Sequence, residues 1–521
     1  MKNITLLKAK VGILAVSCLS ITALFACVDK DARSDLNPNL PTDQAQNGDF
    51  GDQGGGSEQG LNFPVFDDGV LAFPGAEGYG KNVTGARAGE GREIYHVTNL
   101  NDAGPGSFRD AVSKPWRIIV FDVSGVIKLS SNPIVLKSNQ TILGHTAPGD
   151  GIVLYNGRVS ASGAQNLIVR YLRIRMGAAY PSELDACGIA NGANMIFDHC
   201  SMTWGKDECF SINPDGKGTA PKNITIQNSI IGQGLQNHSC GGLMQTDISN
   251  GCTIFRNLYI DNKTRNPKVK GLNQFVNNVV YNWGSGAAYN MSGDSQGKSE
   301  TTIENNYFIV GPCHNWQNVA QPDGSIKTEY VLMSPARPFT GGNGNFNTYC
   351  KGNYYDNNKD GALDGVEITE TNWSQYCSGS PVFLEARSDL HPIIRSQKSA
   401  QEAYEWVVEK VGAYLPVRDE VDKYLMDELI SLGRKGTIIQ DERKAEQFPL
   451  GGPGTINAAQ KPLDSDNDGM PDAFEDAWGL DKYDSTDAVK EAKNGYLNIE
   501  NYALSLEYPD EYEYELNKNK Q

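Results

Sequence analysis

The sequence predicts an all-β chain wound into a parallel β-helix, and three observations carry that expectation. First, similar phrases recur: NLIVRYLRIR from Asn166, NMIFDHCSM from Asn194, NITIQNSII from Asn223, CTIFRNLYI from Cys252, NQFVNNVVY from Asn273 and TTIENNYFI from Thr301. Their starts lie 28, 29, 29, 21 and 28 residues apart, a period that indicates stacked repeats. Second, each phrase alternates apolar and polar positions, holds few helix formers and is too short to bury a core alone. Third, a β-propeller or β-sandwich, the rival folds, should carry hairpin turns of the Asn-Gly type between such runs. Stacked coils bury one long apolar and Asn-containing column instead. In that arrangement same-parity residues of a strand share a face, and residues one coil apart sit about 4.8 Å from each other. Distant positions become neighbours on a ladder.

The 521 residues allow two to four domains. Forty-six Lys+Arg against 63 Asp+Glu give a formal charge of −17, which excludes general nucleic-acid binding. An anionic substrate would need a locally cationic or metal-bearing site. Residues 1–26 have a secretory layout: Lys2, Lys8 and Lys10 precede an apolar run, Val11 to Ala26, that is short for a membrane span. The run ends Leu24-Phe25-Ala26-Cys27, which resembles a bacterial lipobox with Cys27 as the lipidated residue. Val28 after the cysteine favours the outer membrane. The expectation is an exported outer-membrane lipoprotein that touches the membrane only through its acyl chains. Residues 27–62 are rich in Asp, Asn, Gln, Gly and Pro and read as a flexible tether reaching roughly 30 Å. The β-helix is expected over 63–345, and an irregular and then helical extension over 346–455. Within the latter, Ser399 to Leu432 has helical spacing suited to packing on the flank. Eight cysteines beyond Cys27 show no CxxC spacing and read as buried apolar residues or structural bridges.

Three phrases carry more polar groups than stacking needs. In SELDACGI, Glu183 and Asp185 are two apart and point the same way. In WGKDECFSI, Asp207 follows Asp185 by 22 residues, about one coil; Ser211 shares its parity, while Glu208 is expected to face away. In NKTRNPKVKG, Arg265 lies 58 residues past Asp207, about two coils, with Lys268 and Lys270 beside it and Pro267 interrupting the strand. Carboxylate oxygens from several strands are what Ca²⁺ takes as ligands.

These residues, together with FPGAEGYG at Phe73, GPGSFRDAV at Gly104, TILGHTAPGDGI at Thr141, FDHCSMTWGKDE at Phe197, RNPKVK at Arg265 and FVNNVVYNWG at Phe275, resemble polysaccharide lyase family 1, the pectate lyases. AYEWVVEKVGAYLPVRDEVD from Ala403 is similar to a helical tail of that family's Bacteroidetes-type members. The resemblance implies a right-handed parallel β-helix, Ca²⁺ dependence and β-elimination on polygalacturonate. It also implies roles for single residues. Glu183 and Asp185 stand at the Asp-x-Asp calcium ligands, and Asp198-His199 match a Trp-Ile-Asp-His phrase. Asp207 matches the Glu of Glu-x-x-x-Asp, and Ser211 replaces that motif's second carboxylate. Arg265 matches the catalytic arginine of Arg-x-Pro-x-x-Arg, with Lys270 in place of the second arginine. No residue clearly matches the family's substrate lysine, and His238 is taken for that role.

A uronate C5–H is acidic only through its neighbouring carboxylate, so abstraction needs a cation at the carboxylate and a base at C5. Ca²⁺ on Glu183, Asp185 and Asp207 would supply the first. Arg265 would be the base, its basicity lowered by Ca²⁺ and the two lysines, with Lys268 or Lys270 as fallback. Two other functions fit the same residues: a polygalacturonase-type hydrolase with paired carboxylates, and a non-catalytic pectin-binding lipoprotein. Asp198, His199, Arg173 and Arg175 read as structural, and Trp204, Trp283 and Trp316 as at best sugar platforms. The chain is expected to be a monomer.

Residues 456–521 open with a sharper signal, DSDNDGMPDAFE. Asp464, Asp466, Asp468, the carbonyl of Met470, Asp472 and Glu475 fall at positions 1, 3, 5, 7, 9 and 12, with Gly469 at 6, as in an EF-hand loop. No helix precedes it, so it resembles a dockerin-like or thrombospondin type 3-like loop holding a structural Ca²⁺.

Overall fold

Each recurring phrase supplies one strand to each of two sheets, joined by a two-residue corner. Gln165–Arg170 and Arg173–Arg175 are one such pair, and Leu272–Val276 and Val279–Tyr281 another. The first residue of each corner, namely Tyr171, His199, Asn228, Arg256, Asn277 and Asn305, has φ between 50° and 57°. Asparagine tolerates that left-handed region better than most residues, which accounts for part of the Asn count in the phrases. The computed structural model describes residues 69–518 apart from 131, 292–296, 335, 336 and 343. The secretory run, Cys27 and the tether lie outside the described residues.

The first sheet has 11 strands, all paired in parallel, and a second sheet of ten strands is parallel except at its last pair. A third sheet of eight parallel strands, which includes Cys187–Ile189, Phe210–Ile212 and Lys268–Lys270, closes each coil. This is a parallel β-helix. In the first sheet Leu167 pairs with Met195, Met195 with Ile224, Ile224 with Cys252, Cys252 with Asn273 and Asn273 with Thr301. Those shifts agree with the sequence spacing to within one residue. The next coil, from Thr301 to Thr348, is longer because it carries an antiparallel hairpin, His314–Ala320 with Ile326–Leu332.

The interior is apolar, from Val97 to Cys377 in one cluster, with an asparagine ladder along one corner. Asn257 Oδ1 accepts the Ser229 N–H at 2.9 Å, Asn278 the Asn257 N–H at 2.9 Å, Asn306 the Asn278 N–H at 2.7 Å and Asn353 the Asn306 N–H at 3.2 Å. Each amide satisfies backbone groups that a corner leaves unpaired and that are costly to bury bare. Trp204 and Trp283 are fully buried, so neither is a sugar platform. All eight cysteines among the described residues are unpaired. No helix among the described residues is long and apolar enough to cross a membrane.

Two helices, Ala400–Lys410 and Glu420–Leu429, cover the ten-stranded sheet, the first opened by a Ser399–Glu402 capping box. Tyr404, Val407, Leu425 and Leu429 pack on Ile230, Leu258, Ile260, Val279 and Tyr281. Arg175 donates to both Asp419 oxygens and to Asp422, and Arg173 lies 3.6 Å from Asp419, all four groups buried. These arginines fasten the helical extension to the coils. Asp261 and Glu428 meet at the same interface, buried, each with one oxygen that no donor reaches. Burial pushes Asp261 up to about 6, and burial together with Asp261 drives Glu428 well above the carboxylate range. Folding therefore takes up a proton here. The pair's contribution is complete below the unfolded range near pH ~4 and is lost as pH rises through about 6 and beyond. Glu428→Gln keeps a donor for Asp261 and cannot ionise. It should lessen the fall in melting temperature between weakly acidic and alkaline pH, and an unchanged fall would show that the pair shares no proton.

Candidate active site

The acidic and basic phrases converge beside the eight-stranded sheet, but with a register one residue from the expected one. Cys187 pairs with Phe210 and Ile189 with Ile212, a shift of 23 rather than 22. Asp185 therefore stands opposite Glu208, whose backbone N–H donates to Asp185 Oδ1 at 3.3 Å. A slip of one residue exchanges the faces of a strand. Glu208, expected to face away, is turned into the site. Carboxylate oxygens of Asp185, Asp207 and Glu208 all lie within 4.8 Å of one another. Glu183 is not part of that cluster. It is exposed and lines an adjoining cleft of about 360 Å³ with Asn237, His238, Cys240, Lys263 and Thr264. Ser211 is buried and its hydroxyl accepts the Leu243 N–H at 3.1 Å, so it holds the sheet together.

The ladder continues from Glu208 through Cys240 to Thr264 by isolated parallel bridges. Arg265 follows with φ at 57°, and its half-buried guanidinium forms an ion pair with Glu208. Asp207 Oδ1 is buried, with His238 Nδ1 3.2 Å away. Arg158 approaches Asp185 Oδ2 at 3.7 Å. Lys268 and Lys270 are half-exposed on either side of buried Val269, opposite Leu243 and Gln245.

Crowding of acids sets the electrostatics. Burial first, then Asp185 and Asp207, push Glu208 up to about 9 against the pull of Arg265. Burial also raises Asp185. Burial alone would lower Arg265, but Cys240, Glu208 and Asp207 together hold its guanidinium above the ordinary value. The groups acting most strongly on Arg265 are thus its acidic neighbours and Cys240, and not the two lysines. Three hard oxygen donors on the segments leading into two neighbouring strands, and a net surplus of acid, together fit a divalent cation.

The other sequence candidates are placed as follows. Asp198 is buried and accepts from Arg170, Gln227 and Asn228. His199 stacks on Tyr171 at 4.8 Å, and its Nδ1 lies 3.2 Å from the Gly412 carbonyl. Its partner is thus the helical extension and not the next coil. Trp316 sits on the hairpin, 5.1 Å from the Tyr330 ring. Two residues of the site, Arg158 and Lys263, went unnoticed in the sequence, and Glu208 was assigned to the wrong face. Aligning the inward Cys187 and Ile189 on Phe210 and Ile212 would have revealed Glu208.

The family described as pectate lyase matches residues 74–355, which includes every residue of this site. The chain belongs to the pectate lyase family. A probable pectate lyase C of Aspergillus fumigatus is 48% identical over 437 residues, 84% of this chain and 94% of that protein. One of Aspergillus flavus is 47% identical over 448 residues, 86% of this chain and 96% of that protein. A solved structure of a thermostable pectate lyase is 15% identical, with a TM-score of 0.44, over 65% of this chain and 97% of that one. As a pectate lyase family member the chain is a polysaccharide lyase.

At the C-terminal loop, oxygens of Asp464, Asp466 and Asp468 lie within 4.8 Å of one another, and so do those of Asp468, Glu475 and Asp487. Burial and mutual repulsion push Asp468 up to about 7 and Glu475 up to about 8. Asp472, expected at position 9, is turned away: its oxygens accept the Ser465 N–H and hydroxyl, both at 2.8 Å.

Proposed function

We propose that this enzyme cleaves polygalacturonate by calcium-dependent β-elimination, with Asp185, Asp207 and Glu208 as the cation's ligands and Arg265 as the base. The observation that carries the reading is the meeting of three carboxylates with one arginine on adjoining rungs. A Ca²⁺ held there supplies charge neutralisation and Lewis-acid withdrawal at a uronate carboxylate. Lys263 lines the cleft, and half-exposed Lys268 and Lys270 stand on the neighbouring strand; these lysines offer positive charge to a polyanion that the chain's net −17 would otherwise repel. Arg265 takes the C5 proton, the C5–H electron pair forms a C4=C5 double bond, and the C4–O bond breaks, its oxygen leaving with the other fragment and taking a proton from solvent to become the new reducing end. A guanidinium loses its proton only with difficulty, so the reactive fraction increases with pH and the rate should climb well into the alkaline range.

Polygalacturonate incubated with and without a chelator tests the reading directly. The expected result is ultraviolet absorbance from an unsaturated product together with new reducing ends, both abolished by chelation. Reducing ends without absorbance would mean hydrolysis, and neither signal would mean binding alone. The motif at 464–475 supports a second, structural Ca²⁺. Residues 1–62 extend the proposal to an exported outer-membrane lipoprotein, anchored through Cys27 and reaching its polymer on the tether.

A further inference from the structure

We infer that Asp487, outside the 12-residue loop, completes the C-terminal calcium site, and that the ion there clamps the C-terminal extension onto the first coils of the β-helix. This rests on the loop's calcium reading given above and adds a ligand and a purpose to it. Asp468 belongs to both carboxylate groups, so the loop acids Asp464 and Asp466 adjoin Glu475 and Asp487 through it. Both oxygens of Asp466, both of Glu475, Asp468 Oδ2 and Asp487 Oδ1 are buried without any hydrogen-bond partner. Glu475 is 0% exposed, Asp468 3% and Asp487 4%. Buried carboxylates left bare are costly; an all-oxygen set of this density is what Ca²⁺ takes.

The cations on hand do not meet the need. Lys461 Nζ reaches only the Asp464 side, 3.5 Å from Asp464 Oδ2 and 3.1 Å from Asp122 Oδ2. Asp487 is aimed rather than loose: its Oδ2 accepts the Asp481 N–H at 3.1 Å, and its carbonyl accepts Asn498 Nδ2 at 2.9 Å. Asp487 thus takes the place left by Asp472.

The three segments joined at this point are the ones that cover the start of the solenoid. Met470, Phe474, Trp478, Ile499 and Tyr502 form one apolar cluster with Ile118, Val120 and Leu143 of the first coils. Arg87 grips both oxygens of Glu500 at 2.9 and 3.0 Å, and Arg92 donates to the Val489 carbonyl at 2.8 Å. Removing the ion leaves five acids repelling one another beneath that cluster.

The test is calcium-dependent thermal unfolding of the full chain, read beside calcium-binding calorimetry. Calcium should raise the melting temperature by a few degrees, and Asp185→Asn should retain that rise because the catalytic ligands are elsewhere. Asp487→Asn should weaken this site roughly tenfold or more and remove most of the rise. If Asp466→Asn removes the rise while Asp487→Asn does not, the loop reading stands and the inference is overturned. If neither variant changes it, both fail. Should Asp487→Asn not fold, limited proteolysis of the unmutated chain decides: chelation should open cleavage sites within 456–497, and equal protection in calcium and chelator overturns the clamp.

Discussion

Replacing Arg265 by alanine should reduce kcat on polygalacturonate by about 10²–10⁴-fold, the range typical for loss of a positioned base, with far less change in KM. The guanidinium is half-buried and fixed through its pair with Glu208. On the proposed mechanism its removal deletes the base and leaves the cleft walls of Asn237, His238 and Lys263 in place. Arg265→Lys should recover part of the rate and shift the pH profile toward neutrality, since an ammonium gives up its proton more readily than a guanidinium. Continuous ultraviolet absorbance over a pH series measures both variants. A kcat within a few-fold of the parent for Arg265→Ala would remove the arginine from the proton transfer. If Lys268→Ala or Lys270→Ala then abolished turnover, the base would be the lysine.

Asp185→Asn and Glu208→Gln should each raise the calcium concentration for half-maximal rate by roughly tenfold or more, because affinity follows the number of charged oxygen ligands. On the proposed ligand set, the pairing of Asp185 with Glu208 across the rung would have the two act on the same ion. Their effects should therefore be non-additive in the double variant. Glu183→Gln is the informative contrast. Its carboxylate lines the neighbouring cleft, so it should alter KM for the polymer while leaving the calcium requirement nearly unchanged. A calcium titration of activity for the four proteins checks this. A shift for Glu183→Gln equal to that for Glu208→Gln would restore Glu183 to the ligand set.

Much of the fold was legible because the corners repeat a chemical demand. Asn277 and Asn305 answer a left-handed backbone, and Asn257, Asn278 and Asn306 answer unpaired amides, so the period is written in one residue type. Asp185 and Arg265 stood out because nothing in the stacking calls for them. Glu208 was missed because the coil here is 23 residues and not 22, a difference that only the inward Cys187, Ile189, Phe210 and Ile212 register. The partners of His199 and Arg175 come from residues more than 200 positions later, and Asp487 lies beyond the span of a 12-residue motif. Contacts of that kind depend on how the extension folds back over the coils, which no local pattern encodes.

The hairpin in the coil between Thr301 and Thr348 has a bearing on how such enzymes diversify. Stacking demands only that each circuit return to its rung, and Thr301 meets Thr348 as squarely as Asn273 meets Thr301. The detour nevertheless leans on the segment that carries His238: Asn318 N–H donates to Asn237 Oδ1 at 3.2 Å, and Gln236 Nε2 to Asn315 Oδ1 at 3.0 Å. A change of length at its tip would be absorbed at one bank of the cleft while the rungs below keep their alignment. Catalysis and chain selection are thereby free to evolve at different speeds within one solenoid.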